Sequence, residues 1–550
     1  MSVAAPTMTA GRAGPNSGTR IGIGFVLLLP ALLALAWSYL LPTVQALGRS
    51  TTRDRMVGPS ESVGAANYEA LFTRGFLGDL GSALLLALVP LALALLVAPV
   101  LALLADRAGR PARLALRTLV VLPVAGYAPV ALLIGWRLDR VEPGTMLDRP
   151  LATLVEFTAV TGAGLVVAIA TTAFLGTLRG RPHRRDALPA ALTVAGLLML
   201  GIIAVTLQTF TATLMTGNSR TPVAHVVTQS LQRMDLGGGS AAAVLLLIPL
   251  ALLGLAATVL LLLTRVRIEV VDEAVTHREH PEGVVSKSGP VAESAPATES
   301  TGNRQARIGL AVAGAIVFAV MLWVAWPWLT RSLRFTTEIP PMPAPDLSSM
   351  LTATWLPTLL SAVVTVAVAA AAGFAIGGLR PLGRFSELLL LPFAPWLFVG
   401  TGPLAIESYL RARDFDQLNT FLGLVPPGWV SIPALFLFTV LFRGLEPRWR
   451  AGGGFGRAML APAAPMILLV GLVTWLVTAA QVLWPMLVAS TPMNRPAPLE
   501  AIMMFARWGR ATDEFALGAV LPLPMILIFL VAFGWLQVRY LDRLAVRVGR

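Results

Sequence analysis

The sequence predicts an all-α polytopic membrane protein of about twelve transmembrane helices, arranged as two six-helix repeats. Hydrophobic residues make up 56% of the 550-residue chain and charged residues only 13%, whereas soluble domains carry roughly 25% charged residues. Apolar runs long enough to cross a hydrocarbon core of roughly 30 Å recur along the chain. Arginines gather in the short loops between these runs. A lipid bilayer is therefore the solvent that suits this chain.

Each half of the chain contributes six predicted spans. Those of the first half lie near residues 21–47, 80–105, 114–136, 151–178, 187–210 and 241–263, and those of the second near 308–329, 355–376, 388–410, 430–442, 462–488 and 515–536. The tenth run is short and needs extension at one of its ends. The first run is longer than a signal-peptide core, so we interpret it as an uncleaved span.

The arginine distribution orients the spans, because cytoplasmic loops carry an excess of arginine and lysine. Arginines cluster at residues 107–117, 179–185, 380–384, 443–457 and 539–550, all on one predicted side. Both termini are then cytoplasmic, and the chain is a multi-pass protein of the cell (inner or plasma) membrane. The first external loop departs from this pattern, since it holds Arg49, Arg53, Arg55 and Arg74 together with acidic residues.

Residues 1–265 and 308–550 form the two predicted permease halves, and residues 266–307 form the connection between them. This connection is rich in serine, proline and glutamate. Such a composition lacks the apolar surface that offsets the ordering of a chain. We expect a flexible cytoplasmic linker.

The two halves resemble each other at a nearly constant offset, which indicates a duplicated or fused pair. Pro123 of the first half recurs as Pro392 of the second, and Gln208 recurs as Gln481. The pair Ala243-Val244 recurs as Ala519-Val520, so the offset drifts only slowly along the chain. In transporters built from two such repeats, the substrate path lies at the interface between them, near the bilayer midplane.

The sequence lacks the residue types that several classes of functional site require. The chain contains no cysteine, which excludes disulfides, thiolate metal sites and thiol nucleophiles. Its four histidines lack ligand-like spacing, and Lys287, the one lysine, follows no glycine-rich phosphate-binding loop. We therefore predict no enzyme activity, no metal and no other cofactor. The net charge of +13 is interpreted as topology-setting charge, with membrane lipid and not nucleic acid as the surrounding partner.

A segment after the first span resembles the maltose-type, carbohydrate permeases of ABC importers, which carry a V-G-x-x-N-Y-x-x-L-F signature there. It reads Val63-Gly64-Ala65-Ala66-Asn67-Tyr68-Glu69-Ala70-Leu71-Phe72. Residues 188–189, 207–210 and 214–217 continue the resemblance, and residues 481–486 are similar to the partner permease of the same importers. The resemblance implies two permease subunits fused in one chain, which import a carbohydrate or similar small polar solute. It also implies cytoplasmic ABC ATPase subunits and an external solute-binding protein as partners.

Four residues are candidates for the translocation path. The amides of Gln208 and Gln481 could replace water around a hydroxylated solute, and the rings of Phe210 and Trp484 could stack on a sugar. Each pair has an ordinary alternative. Amides within membrane helices also serve as interhelical hydrogen bonds, and aromatic side chains form interfacial belts.

The loops that couple such permeases to their ATPases are degenerate in this chain. The family carries a Glu-Ala-Ala sequence in a short docking helix, whereas residues 178–189 and 443–462 lack it and contain Pro182, Pro447 and three successive glycines. We expect these helices to be absent or stunted, since glycine and proline oppose helix formation. The candidates for an electrostatic ATPase contact are Arg181, Arg184 and Arg185 in one loop, and Glu446, Arg448 and Arg450 in the other. Alternatively, these arginines only fix the topology.

Two other functions stay open at this point. An ion-coupled secondary transporter would need a carboxylate within the membrane, for which Glu156 and Glu407 are the candidates. A degenerate permease would act as a membrane scaffold or sensor without transport.

Overall fold

The computed structural model describes residues 17–54, 60–140, 150–179, 184–216, 221–271, 301–332, 346–508 and 513–549. Nine helices in these ranges are long and apolar enough to cross a membrane. They are Arg20–Ser50, Phe76–Ala108, Leu151–Leu178, Leu188–Leu214, Leu236–Thr264, Arg304–Ser332, Leu347–Leu379, Gly456–Ala479 and Leu517–Arg543. The prediction of an all-α polytopic membrane protein is confirmed at this level.

The third and ninth predicted spans are not single helices. Arg110–Ala125 and Pro129–Asp139 meet at an angle of 81°, and they make a tenth span only if this bent pair counts as one. In the ninth, a 3-10 helix, Gly383–Trp396, is followed by a turn and then by the helix Ala405–Asp414. Prolines explain both breaks, because proline lacks the N–H that continues a helix and clashes with the preceding turn. Pro123 lies just before the first break, and Pro392 and Pro395 lie within the 3-10 segment.

The tenth predicted span, 430–442, lies in the helix Ile432–Arg450. Its last two turns carry Arg443, Glu446, Arg448 and Arg450, so it is not apolar along its whole length. The helix continues through Pro447 and ends before a turn at residues 451–454, after which the next span begins. No separate coupling helix interrupts this described stretch. In the other loop, residues 184–187 form one 3-10 turn.

Shorter elements complete the described chain. The short helices are Ala66–Thr73, Thr211–Thr216, Pro222–Val227, Phe421–Leu424, Leu483–Val488, Ala497–Trp508 and Asp513–Val520. Strand β1, Thr52–Arg53, pairs with β2, Glu61–Ser62. Strand β3, Arg267–Val270, pairs antiparallel with β4, Leu544–Arg547, with Ile268 opposite Val546. We call the β3–β4 pair the ribbon.

The range 266–307, predicted as a flexible linker, contains regular structure at both ends. Strand β3 occupies residues 267–270, and the helix Thr301–Ser332 begins before the predicted end of the linker. Residues 272–300 lie outside the described residues.

The helices of the second half come in the same order along the chain as those of the first half. The span Phe76–Ala108 of the first half has Leu347–Leu379 as its counterpart in the second, and the helix that starts at Leu188 has the one that starts at Ala461. The broken third span has the broken ninth as its counterpart. The succession of elements therefore repeats in step with the sequence motifs.

The two halves exchange helices reciprocally. The last span of the first half, Leu236–Thr264, packs on the 3-10 helix of the second half, while Leu523–Arg539 packs on Arg110–Ala125 of the first. The first helices cross over in the same way, since Ser17–Leu35 packs on Leu347–Phe374 and Thr301–Ser332 packs on Ala98–Ala108. The halves therefore form one interlocked bundle.

An N-terminal cap and a close glycine contact position the span Leu236–Thr264 in the interface between the halves. Asp235 caps its first turn, because the carboxylate accepts a hydrogen bond from Gly238 N at 2.9 Å. Farther along, the helix approaches the second half closely at Gly254. A Cβ at that position would lie 2.2 Å from the carbonyl oxygen of Ala394, so the contact requires glycine.

Candidate functional site

A cavity of about 490 Å³ lies between the two halves. Its walls come from equivalent elements: residues 165–176, 194–198 and 257–261 of the first half face residues 433–440, 466–473 and 533–541 of the second. Ala257 and Phe533, for example, are related by the same offset as Ala243 and Ala519, and both line it. Equivalent positions of the two halves therefore face each other across the cavity.

The lining is almost entirely apolar. Among the lining side chains, only Thr172 and Gln537 are polar, and they bind each other through a hydrogen bond of 3.2 Å from Gln537 Nε2 to Thr172 Oγ1. Gln537 Oε1 also accepts a hydrogen bond of 3.1 Å from Arg117 Nη1. These polar groups already have partners, so the wall offers little hydrogen bonding to a solute.

The two predicted glutamines meet at one segment, residues 398–401, next to the end of the cavity formed by Leu397 and Phe398. Gln208 Nε2 donates to the carbonyl of Phe398 at 2.7 Å, and Gly400 N donates to Gln208 Oε1 at 2.7 Å. Thr401 Oγ1 donates to Gln481 Oε1 at 3.3 Å. Gln208 thus bridges the two halves, whereas Gln481 contacts a residue of its own half. Their role toward a solute stays a prediction.

The two aromatic candidates are buried in the protein core. Phe210 is 7% exposed and Trp484 is 3% exposed. The Trp484 indole donates to the carbonyl of Gly423 at 2.9 Å. Neither ring is among the residues lining the described cavity.

The ribbon and a buried ionic cluster close one end of the cavity. Ile268, Leu544 and Val546 of the ribbon line it. Next to the ribbon, the side chains of Arg113, Arg117 and Arg179 surround Asp542, at nitrogen–oxygen distances of 3.6, 3.3 and 3.7 Å. Arg117 is 2% exposed and also donates to the carbonyl of Leu541 at 3.1 Å.

We call this end of the bundle the arginine-rich end. Sequence reasoning did not single out the cluster, although one signal was present: Asp542 is the sole acidic residue between positions 539 and 550. The three arginines belong to the first half and Asp542 to the second. The cluster therefore fastens the halves together at this end.

The candidates for the ATPase contact also lie at the arginine-rich end. Glu446 is buried and bound within the chain, since Arg380 Nη1 lies 3.3 Å from its Oε2 and Arg450 also contacts it. Arg448 and Arg450 are exposed, and Arg448 donates to the carbonyl of Val270 in the ribbon. Arg181 lies outside the described residues, as do the side chains of Arg184 and Arg185.

The carboxylates that an ion-coupled carrier would need have partners at the opposite end of the bundle. Glu407 is 3% exposed; its Oε1 lies 3.2 Å from Arg49 Nε and accepts a hydrogen bond of 2.8 Å from Ser240. Glu156 is exposed and accepts a hydrogen bond of 2.6 Å from the Trp136 indole. The pairing with Arg49 could not be seen from sequence proximity, because the two residues are 358 positions apart.

Within the part of the chain that the structure describes, no group of three or more histidine and acidic residues could hold a metal ion. Comparison with known proteins adds no further assignment. No protein-family model matches the chain, and no curated protein or solved structure matches it significantly.

Proposed function

We propose that this chain is the membrane-spanning permease of an ATP-driven (ABC) importer, whose two fused halves give alternating access to a path between them. The observation that carries the proposal is the reciprocal exchange of first and last spans around a cavity lined by equivalent residues of both halves. A path built at the interface of two repeats is the arrangement expected of a transporter. The resemblance at residues 63–72 supports the importer class.

The proposed topology has twelve spans. Nine are continuous helices, and the broken third and ninth segments and the helix Ile432–Arg450 supply the other three. The arginine-rich end would face the cytoplasm together with both termini, following the positive-inside rule. ATPase subunits would then bind near Arg448 and Arg450, and a solute-binding protein would dock at the opposite end.

The resemblance favours a carbohydrate or similar small polar solute. Gln208, Gln481 and Thr401 would supply its polar contacts at the interface of the halves. The apolar wall of the cavity offers few partners to a sugar's hydroxyl groups, so the solute class is supported by the resemblance alone.

A scaffold or sensor without transport is the second candidate, and the ribbon favours it. An importer must separate its halves at the cytoplasmic end in one of its states. Here the halves are joined at that end by four paired residues on each strand and by the Asp542 cluster. An ion-coupled carrier has less support, because Glu407 is paired with Arg49 and Glu156 is exposed.

Purification of the tagged chain from its native membrane into lipid nanodiscs tests these alternatives. We expect an ABC ATPase to co-purify and its ATP hydrolysis to rise when the solute-binding protein is added. If the contact is electrostatic, the complex should dissociate between 0.1 and 1 M salt, over which the Debye length falls from about 10 to about 3 Å. It should also weaken in Arg448→Gln/Arg450→Gln and not in Arg413→Gln, an exposed arginine at the opposite end. Failure of any ATPase to co-purify would contradict the importer and favour the scaffold.

A further inference from the structure

A second cleft, of about 560 Å³, lies on the outer surface of the second half at the arginine-rich end. Four arginines from three elements converge on it: Arg448, Arg457, Arg539 and Arg543. The rest of its lining is Val270, Ala461, Pro462, Pro465, Trp535 and Tyr540. No carboxylate of a described residue lines this cleft, so it presents concentrated positive charge beside apolar and aromatic surface.

Three of the four arginines are available to a ligand, whereas Arg448 donates to the carbonyl of Val270 within the chain. Arg457, Arg539 and Arg543 are exposed, and none of the ion pairs found among the described residues involves them. Tyr540 is buried beneath the cleft, with its hydroxyl donating to the carbonyl of Pro462 at 2.8 Å, so the floor is fixed. The cleft therefore matches a ligand that brings its own negative charge.

The helix Leu523–Arg539 connects this charge to the lipid-facing surface. Leu527, Val531 and Trp535 are 61%, 69% and 54% exposed and follow each other at intervals of four residues. The same interval leads to Arg539, the last residue of this helix, and Arg543 lies in the 3-10 turn that follows it. Residues four apart lie above one another on a helix surface. An apolar stripe thus ends in an aromatic residue and two arginines, which is the profile of a phospholipid from its acyl chains to its headgroup.

Comparison with the first half shows that the orientation of a span in the membrane does not by itself require this tryptophan and arginine. At the offset that relates Ala243 to Ala519, the first half has Val259, Leu263 and Thr264 where the second has Trp535, Arg539 and Tyr540. Arginines that only orient the protein need neither a cleft nor an adjoining tryptophan. Trp535 and Arg539 are thus specific to the second half, whereas Arg543 has Arg267 as its counterpart.

We propose that this cleft binds the phosphate headgroup of an anionic phospholipid from the leaflet at the arginine-rich end, with the acyl chains along Leu527, Val531 and Trp535. Basic pockets between transmembrane helices on the cytoplasmic side bind such headgroups. The site is separate from the cavity between the halves and does not depend on transport.

The test measures binding of labelled phosphatidylglycerol to the full chain in phosphatidylcholine nanodiscs at about 0.15 M salt. An arginine near an anionic headgroup strengthens binding about fivefold, so Arg457→Gln/Arg539→Gln/Arg543→Gln should weaken it roughly a hundredfold. The matched control is Arg107→Gln/Arg304→Gln/Arg384→Gln, which removes the same charge from exposed positions at the same end but outside the cleft. This control should keep the wild-type affinity, and unfolding temperatures of both variants verify folding.

Two results would overturn the proposal. One is equal loss of binding in both triple variants, which would indicate general charge attraction. The other is displacement of the lipid by millimolar inorganic phosphate together with equal retention of phosphatidylglycerol and phosphatidylcholine, which would indicate a site for a soluble anion.

Discussion

Asp542 is the residue whose removal we expect to cost the most stability. Three arginines surround it, and Arg117 among them is buried. Asp542→Asn would leave this guanidinium without a counter-charge, and breaking one partner of a buried ion pair typically costs about 3–5 kcal/mol. The variant should therefore unfold at a clearly lower denaturant concentration or temperature than wild type, as followed by circular dichroism in detergent.

Asp414→Asn is the matched control for that experiment. Asp414 and its partner Arg413 have side chains that are 62% and 51% exposed, and exposed pairs contribute about 0–1 kcal/mol. The unfolding midpoint of Asp414→Asn should therefore stay close to that of wild type. Equal shifts in the two variants would contradict the view that the Asp542 cluster fastens the halves.

At the same scale, Gln208 and Gln481 should differ although the repeat makes them equivalent. Gln208→Leu removes two inter-half hydrogen bonds of 2.7 Å and leaves the Phe398 carbonyl and the Gly400 amide without this partner. Gln481→Leu removes one bond of 3.3 Å. We expect the free energy of unfolding to fall by about 1–2 kcal/mol in Gln208→Leu and by under about 1 kcal/mol in Gln481→Leu.

Unfolding of the two single variants under identical detergent conditions measures this difference. If Gln208→Leu were as stable as wild type, the bridge would contribute nothing to the stability of the interface between the halves. The sequence could pair these two residues through the repeat. The segment 398–401 that both contact was missed, because the ninth span was predicted as one unbroken helix.

At the scale of elements, the contact between the span Leu236–Thr264 and the 3-10 helix Gly383–Trp396 depends on Gly254. A Cβ there would lie 2.2 Å from the Ala394 carbonyl oxygen, so Gly254→Ala must push the two elements apart. We expect this variant to lower the free energy of unfolding by about 1–3 kcal/mol. Gly471→Ala, in the helix Ala461–Ala479, meets nothing within 4 Å and should stabilise by about 0.5–1 kcal/mol through helix propensity. Opposite shifts of the unfolding temperature are the expected result. A loss in both variants, or in neither, would contradict this packing.

Run length and composition predicted nine of the spans because both are local properties of the chain. The three other predicted spans are not single apolar helices, for reasons that hydropathy does not measure. Residues 114–136 and 388–410 are apolar enough to span, but prolines at 123, 392 and 395 divide them. Residues 430–442 were too short to predict the helix Ile432–Arg450, whose charged end continues past them. Proline position was visible in the sequence and could have located both breaks.

At the scale of the whole molecule, the repeat predicted two equivalent halves but not their exchange of helices. The exchange depends on contacts between residues hundreds of positions apart, such as Arg117 with Asp542. The same limit applies to the candidate site. Gln208 and Gln481 could be chosen from the repeat, whereas the ribbon could not, because β3 lies in a stretch whose composition predicted a flexible linker.

A crosslink in the ribbon is the experiment that tests the whole molecule, because the ribbon joins the halves at the end that the proposed importer would have to open. The chain contains no cysteine, so a pair of cysteines can be introduced without altering the background. Arg267→Cys/Arg547→Cys places the pair at directly opposed residues of the ribbon, where Cβ atoms lie about 4.5–5.5 Å apart. With a protease site inserted after Ser288, oxidation should keep the two halves together on a denaturing gel after cleavage. Arg267→Cys/Ala545→Cys, two residues out of register, should crosslink far less.

The functional consequence of that crosslink separates the two proposals. If the halves part at the ribbon during each transport cycle, the oxidised protein should lose solute uptake to background, and a reductant should restore it. The out-of-register pair should transport normally under both conditions. Uptake that persists with the ribbon fully crosslinked would show that the halves do not separate there, and the path would then have to open elsewhere along their interface. Absence of uptake in oxidised and reduced protein alike, together with intact folding, would favour the scaffold, in which the ribbon and the Asp542 cluster hold the halves in one fixed arrangement.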